Sequence, residues 1–307
     1  MRNDRLIGFM FLSLAMVAVG STVIASKQLS GELAPFTATA LRFAFAVPPF
    51  LWICRATGQR LPTLPARDWA LLAIQSGLGS VGYTVFLILG LSHTSGATAS
   101  VIVGSLPMVM GILAVTLFRE PLTRSFLLAL GISLAGVLLV TSHGAAAPDG
   151  LASGAVLGAG LVFLAVVCEA VFMLLNKKLS VPLPAMVQAT AMSVFGLLIA
   201  LVPAGYEVAG GSLAALDAGA LASVVYYAVV PTLVGSTLWY AGSQRTSATD
   251  AALATAIMPI AALVLSILIL GETAGTAELV GCLLIVVAIL VGLPRSAGAP
   301  AAGGAKS

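Results

Sequence analysis

Apolar runs of about 20 residues, the length an α-helix needs to cross the hydrocarbon core of a bilayer, recur along the chain between short polar segments. The pattern predicts spans over 6–26, 36–54, 68–91, 96–118 and 123–141, then over 152–177, 184–203, 218–243, 248–270 and 275–293. Residues 297–307 form a small-residue tail predicted to be disordered. Arg2 and Arg5 ahead of an apolar stretch, with Val23-Ile24-Ala25 behind it, imitate a secretory signal. The stretch exceeds the 7–15 residues or so of a signal's apolar core, so it reads as the first span.

Alternating the spans sorts the charges. Of the 14 Lys and Arg, all but Lys27 and Arg42 fall on the side that holds both termini. Under the positive-inside rule this predicts cytoplasmic termini and an even number of spans.

The two halves are related. At an offset of 152 residues Gly90 superimposes on Gly242, Thr94-Ser95 on Thr246-Ser247, Ala99 on Ala251, Pro107 on Pro259 and Glu120 on Glu272. At an offset of 150, Lys27 meets Lys177 and Leu29-Ser30 meets Leu179-Ser180. Each unit carries five spans, an odd number, so the second enters the membrane from the opposite face. The predicted fold is an all-α membrane protein with ten transmembrane helices in two inverted five-helix repeats, 1–145 and 146–296, with 297–307 as tail. Inverted repeats mark many secondary transporters, in which a site between the units is turned from one side to the other.

Composition narrows the class. The chain is 60% hydrophobic and 8% charged, against roughly 25% charged in an ordinary soluble domain. Its net charge of +3 is small and scattered, so no nucleic-acid partner is expected. Cys54, Cys168 and Cys282 lie far apart in apolar runs and His93 and His143 stand alone, which gives neither metal spacing nor disulfide pattern. Without a phosphate-cradling loop there is no sign of ATP-driven transport, and the chain reads as neither enzyme nor cofactor protein. Membrane lipid and a small-molecule substrate are the expected partners; the sequence leaves oligomeric state open, a monomer included.

Candidate chemistry lies inside the spans. Pro107 and Pro259 occupy the middles of the fourth and ninth, where the missing N–H is predicted to free the carbonyls of Val103 and Thr255. Such groups face a cavity or sit at a kink packed on a neighbour. On the third span Ser76, Gly79, Ser80, Tyr83, Phe86 and Gly90 share a face, as do Thr232, Gly235, Ser236, Trp239 and Ser243 on the eighth. Each face is either a cavity wall or a close helix contact built from small residues. Glu169 lies eight residues before Lys177, about 12 Å along the helix. At that depth a carboxylate costs on the order of 3 kcal/mol on insertion scales unless it meets protein or water. It reads as a site for a substrate amine, as a proton site or as a paired structural group, with Phe172, Met173 and Asn176 on the same face. Arg42, six residues inside the second span, is a structural ion-pair partner or a contact for a substrate carboxylate. Glu120 and Glu272 stand at span ends, where capping is expected.

These residues resemble the drug/metabolite transporter superfamily in its ten-helix EamA branch. The resemblance rests on Gly20-Ser21-Thr22, Leu41-Arg42-Phe43-Ala44, Ala97-Thr98-Ala99-Ser100 leading to Pro107, and Arg119-Glu120-Pro121-Leu122. In the second unit it rests on Ala251-Ala252 leading to Pro259 and on Gly271-Glu272. The chain departs from the usual pattern with Val19 before the first-helix glycine and Cys168-Glu169-Ala170 in the sixth helix. Within the superfamily it most resembles the YddG-like bacterial aromatic amino-acid exporters. The resemblance implies export of small organic metabolites, such as aromatic or other neutral amino acids, across the bacterial inner membrane. Efflux of drugs or other metabolites, and an uncoupled channel-like facilitator, are the alternatives. The substrate-binding candidates are Ser80, Tyr83, Phe86, Pro107, Glu169, Phe172, Asn176, Trp239 and Pro259, with Glu169 and Arg42 as coupling or ion-pair candidates.

Overall fold

A computed structural model describes residues 2–59, 63–118, 124–145, 151–176, 178–181, 183–246 and 254–292. Among them the regular structure is helical throughout. Eight helices have the length and apolarity to cross a membrane: α1 (Asp4–Leu29), α2 (Pro35–Ala56), α3 (Ala66–Leu91), α4 (Gly96–Leu113), α5 (Arg124–His143), α6 (Gly154–Leu175), α7 (Met186–Ala209) and α8 (Ala218–Ser243). Two shorter apolar helices, α9 (Ile257–Leu270) and α10 (Thr276–Gly292), complete the ten. The predicted start of the ninth span at Ala248, the side chain of Asn176, and Arg60, Arg119, Glu120, Lys177 and the 297–307 tail lie outside the described residues.

Two local expectations are corrected. The seventh span does not stop at Pro203 but runs through it to Ala209. Its continuation carries Glu207, whose carboxylate accepts from the backbone N–H groups of Phe36 and Thr37 and so caps α2. The carbonyls of Val103 and Thr255 are not free either. The fourth span breaks at Ser105, so a new helix begins at Leu106 and Pro107 is its second residue. Pro259 is likewise the third residue of a helix beginning at Ile257. In a first turn the N–H groups have no intrahelical acceptor, so proline costs little there. Backbone N–H groups at the first break bond the carbonyls of Ile102 and Val103, and Met258 N–H bonds Thr255 at 3.2 Å.

Packing follows the repeat. α2 lies along its counterpart α7, α5 along α10 and α4 across α9, while α3 on α6 is mirrored by α8 on α1. Glycines set the last two contacts. A Cβ on Gly90 of α3 would sit 2.9 Å from the carbonyl oxygen of Gly158 and 2.7 Å from Val162 on α6. One on Gly242 of α8 would sit 2.8 Å from the carbonyl oxygen of Gly8 and 2.7 Å from Leu12 on α1. Gly90 corresponds to Gly242 at the offset of 152, and Gly8 and Leu12 to Gly158 and Val162 at 150. The four helices form one contact made twice, related by the inverted repeat, in a solvent where bare backbone lets helices approach closely.

The outer faces of the bundle are apolar, with Leu268, Val202 and Leu283 strongly exposed. Trp52 and Tyr206 project near opposite ends of the spans, as expected of aromatic residues at membrane interfaces.

Candidate functional site

The site begins with two interruptions of the α ladder. Residues Ser76–Gly82 of α3 and Ala228–Gly235 of α8 are π-helical, at corresponding places in the two units. In α8 the cause is Pro231, which has no N–H for the carbonyl of Tyr227. The hydroxyl of Thr232 takes that carbonyl instead, at 2.9 Å. In α3 three glycines, Gly77, Gly79 and Gly82, loosen the same stretch, and the N–H of Tyr83 reaches back five residues to Leu78. Wide turns of this kind displace side chains from the regular face and collect at functional sites.

Arg42 of α2 joins the two interruptions. Its Nε donates to Thr232 Oγ1 at 2.9 Å and its Nη1 to Thr84 Oγ1 at 2.5 Å. Each hydroxyl in turn donates to its own helix, Thr84 to the carbonyl of Ser80 and Thr232 to that of Tyr227. The guanidinium lies over the Tyr227 ring at 4.2 Å from its centroid and 4.8 Å from that of Phe43, a cation–π setting. Its direct partners are therefore neutral hydroxyls and ring faces. Glu169 on α6 lies within electrostatic reach of Arg42 and of Tyr83, yet among the described residues its carboxylate has no hydrogen bond or ion pair.

Three of the aromatic candidates share one apolar cluster to which both units contribute. Tyr83 is buried, its hydroxyl 3.3 Å from that of Thr22 on α1. Phe86 and Trp239 pack on the same apolar cluster as Tyr83. A Cβ on Gly79, inside the π turn, would sit 2.4 Å from the Cβ and Cγ of Phe172, so that side chain packs closely on the turn. The prolines behave differently. Pro259 is buried against Gly104, where α4 and α9 cross, and Pro107 is partly buried at the start of the second half of α4. A surface hollow of about 280 Å³ lies elsewhere, beside Gly31, Pro35 and Ser92, and holds none of the predicted site residues.

The ends of the units are tied by charged side chains acting on backbone. Glu272 accepts from the N–H groups of Gly96 and Ala97 at 2.9 and 2.8 Å, capping α4 from the other unit as its span-end position predicts. Lys27 donates to the carbonyls of Leu91 and Thr94, closing the end of α3. Asp68 binds Ser180 through both backbone N–H and hydroxyl.

The fold is a ten-helix duplication with paired interruptions and a polar centre shared by both halves, and the family comparison gives its class. The EamA-like transporter family matches this chain twice, over residues 6–142 and 156–293. The chain belongs to the EamA-like transporter family. This EamA-like chain is 29% identical over 283 residues to an uncharacterized transporter, YetK, of Bacillus subtilis (strain 168), covering 92% of this chain and 86% of that protein. It is 26% identical over 254 residues to a probable terminal-alkyne amino-acid exporter of Streptantibioticus cattleyicolor, covering 81% of this chain and 78% of that one. A protein of known crystal structure shares the fold, with a TM-score of 0.64 at 21% identity over 94% of this chain and 98% of that one. EamA membership makes the protein a multi-pass membrane transporter with a small-molecule substrate and points away from an enzyme family.

Three residues of the EamA-like centre, Thr84, Tyr227 and Thr22, escape a reading by helical faces. Tyr227 supplies the ring under Arg42, and Thr22 meets the Tyr83 hydroxyl from α1. Tyr227 had one signal: at the offset of 152 it corresponds to Gln75, another polar side chain in an apolar run.

Proposed function

We propose that this protein is a secondary transporter exporting small organic metabolites, such as aromatic or other neutral amino acids, across a bacterial inner membrane by alternating access. The moving parts are the two units, 1–145 and 146–296, and both termini lie in the cytoplasm. The observation that carries the reading is the polar centre held by Arg42, where hydroxyls from corresponding helices of the two units meet on one side chain. A ligand bound there touches both units, which alternating access requires. Tyr83, Phe86, Phe172 and Trp239 supply flat apolar surface and Ser80 a small polar group. Asn176 follows the end of α6 in sequence, Pro107 and Pro259 lie in the first turns after the helix breaks, and Glu169 and Arg42 are the coupling candidates. A relative described as a probable amino-acid exporter supports the choice of amino acids.

The test is flux through the purified protein in lipid vesicles, using labelled tryptophan, phenylalanine, leucine, threonine and a cationic dye, with and without a proton gradient. Saturable amino-acid flux is expected, with gradient-driven accumulation that Glu169→Gln abolishes. Flux of the dye alone overturns the amino-acid reading in favour of drug efflux. Flux that never exceeds equilibration makes the protein a facilitator.

A further inference from the structure

Arg42 and Glu169 present an arrangement the transport reading leaves unexplained. Both side chains lie within the spans, only partly exposed, where an uncompensated charge is costly. Two opposite charges in such a place usually close on each other, but here no nitrogen of Arg42 comes within 4.0 Å of a Glu169 oxygen, although each lies in the field of the other. Of the five N–H donors of a guanidinium, one on Nε and one on Nη1 are committed to threonine hydroxyls. Among the described residues the other three, one on Nη1 and two on Nη2, have no acceptor. The threonines and the two rings hold the group in a fixed orientation, as bidentate capture of a carboxylate requires. Glu169 likewise keeps its acceptor sites open among the described residues.

We propose that Arg42 and Glu169 are the two jaws of a zwitterion clamp: the α-carboxylate of an amino acid docks on the free N–H donors of Arg42, and its α-ammonium on Glu169. The inference rests on the amino-acid reading above and sharpens it, because recognition falls on the head group common to all α-amino acids. Arg42 belongs to the first unit and Glu169 to the second, so the ligand's own charges bridge the units. A molecule with only one of the charges leaves the other jaw unpaired within the bilayer, and sites with a buried group left unpaired reject such analogues strongly. Recognition through the head group makes little demand on the side chain. Little selectivity among neutral side chains is therefore expected.

The experiment is competition against labelled phenylalanine, leucine and threonine in vesicles holding the wild-type protein. The competitors are each amino acid unlabelled, its decarboxylated amine and its deaminated acid. Each one-charge analogue is expected to compete more than about tenfold more weakly than the parent amino acid. In Arg42→Gln the amine should close the gap to the amino acid, and in Glu169→Gln the acid should do so. Variant folding is checked by thermal melting, and the wild-type competition stands without the variants. Competition by amine or acid within about threefold of the parent overturns the clamp and leaves amino-acid transport standing. No flux of any amino acid overturns both. Variants that relax in the opposite sense, Arg42→Gln accepting the acid, overturn the assignment of the jaws.

Discussion

Tyr227 and Gln75 show how much a single side chain reveals. They correspond in the two units, each directly precedes a π-helical turn, and each is fully buried. The Tyr227 hydroxyl and both polar atoms of the Gln75 amide lack a hydrogen-bond partner among the described residues. A buried polar group left unsatisfied costs about 1–3 kcal/mol. Tyr227→Phe keeps the ring under Arg42 and removes the orphan hydroxyl, so thermal melting in detergent should show stability equal to wild type or higher by about 1 kcal/mol. A lowered melting temperature would mean that the hydroxyl is bonded in the resting protein. Tyr227→Ala, which also removes the ring, should destabilise through the lost cation–π face and the cavity left behind. Arg42 was visible in the sequence as a charge inside an apolar run, but its partners were not. Thr84 and Thr232 reach it because Pro231 and the α3 glycines turn their helices at those places, and a uniform 100° helical wheel carries no such turn. Glu169 was equally visible, and only the three-dimensional arrangement sets it near Arg42 without contact.

At the scale of elements the contacts between α3 and α6 and between α8 and α1 should respond alike to equivalent changes. Gly90→Ala pushes a methyl group into Val162 and the backbone of Gly158, and Gly242→Ala does the same to Leu12 and the backbone of Gly8. Because the obstruction includes backbone, the helices themselves must separate, and each variant should lose about 1–3 kcal/mol of stability. Gly160 on α6 faces open space. Gly160→Ala should melt at the wild-type temperature or slightly above it, since alanine is the better helix former by up to about 1 kcal/mol. Equal melting of Gly90→Ala and Gly160→Ala would show that the α3–α6 approach is not close. The spans were legible because a bilayer admits little besides apolar helices. The ends of α2, α5, α6 and α8 fall within four residues of the polar punctuation that predicts them. Besides the glycine-loosened turn of α3, what the pattern missed has one physical origin, the handling of proline. Pro203 reads as a stop, yet α7 continues through it because its extension caps α2. Pro107 and Pro259 read as mid-helix breaks that free carbonyls, yet both open new helical turns in which the absent N–H has no acceptor to lose.

For the whole molecule the inverted repeat makes a statement about sidedness that every span must satisfy. The connection after α1 follows one crossing, the connection after α8 follows eight and the connection after α9 follows nine. The first and last therefore share a side, opposite the middle one. α9 is the demanding case, because its helix Ile257–Leu270 has only 14 residues, about 21 Å at 1.5 Å per residue, against a hydrocarbon core of about 30 Å. It crosses only if residues before Ile257 complete the passage. Single cysteines can count the crossings in a background where Cys54, Cys168 and Cys282 are replaced by alanine. Glu32→Cys lies between α1 and α2, Gln244→Cys just after α8 and Thr273→Cys between α9 and α10, all at exposed positions. With the termini in the cytoplasm, a membrane-impermeant maleimide added to intact bacterial cells should label Glu32→Cys and Thr273→Cys. Gln244→Cys should react only after the cells are opened. Labelling of Gln244→Cys and Thr273→Cys from the same side would mean that α9 does not cross, which would end the inverted repeat and the shared centre built on it. The reverse pattern, with Gln244→Cys alone reached from outside, would keep the repeat and invert the orientation that the Lys and Arg distribution predicts.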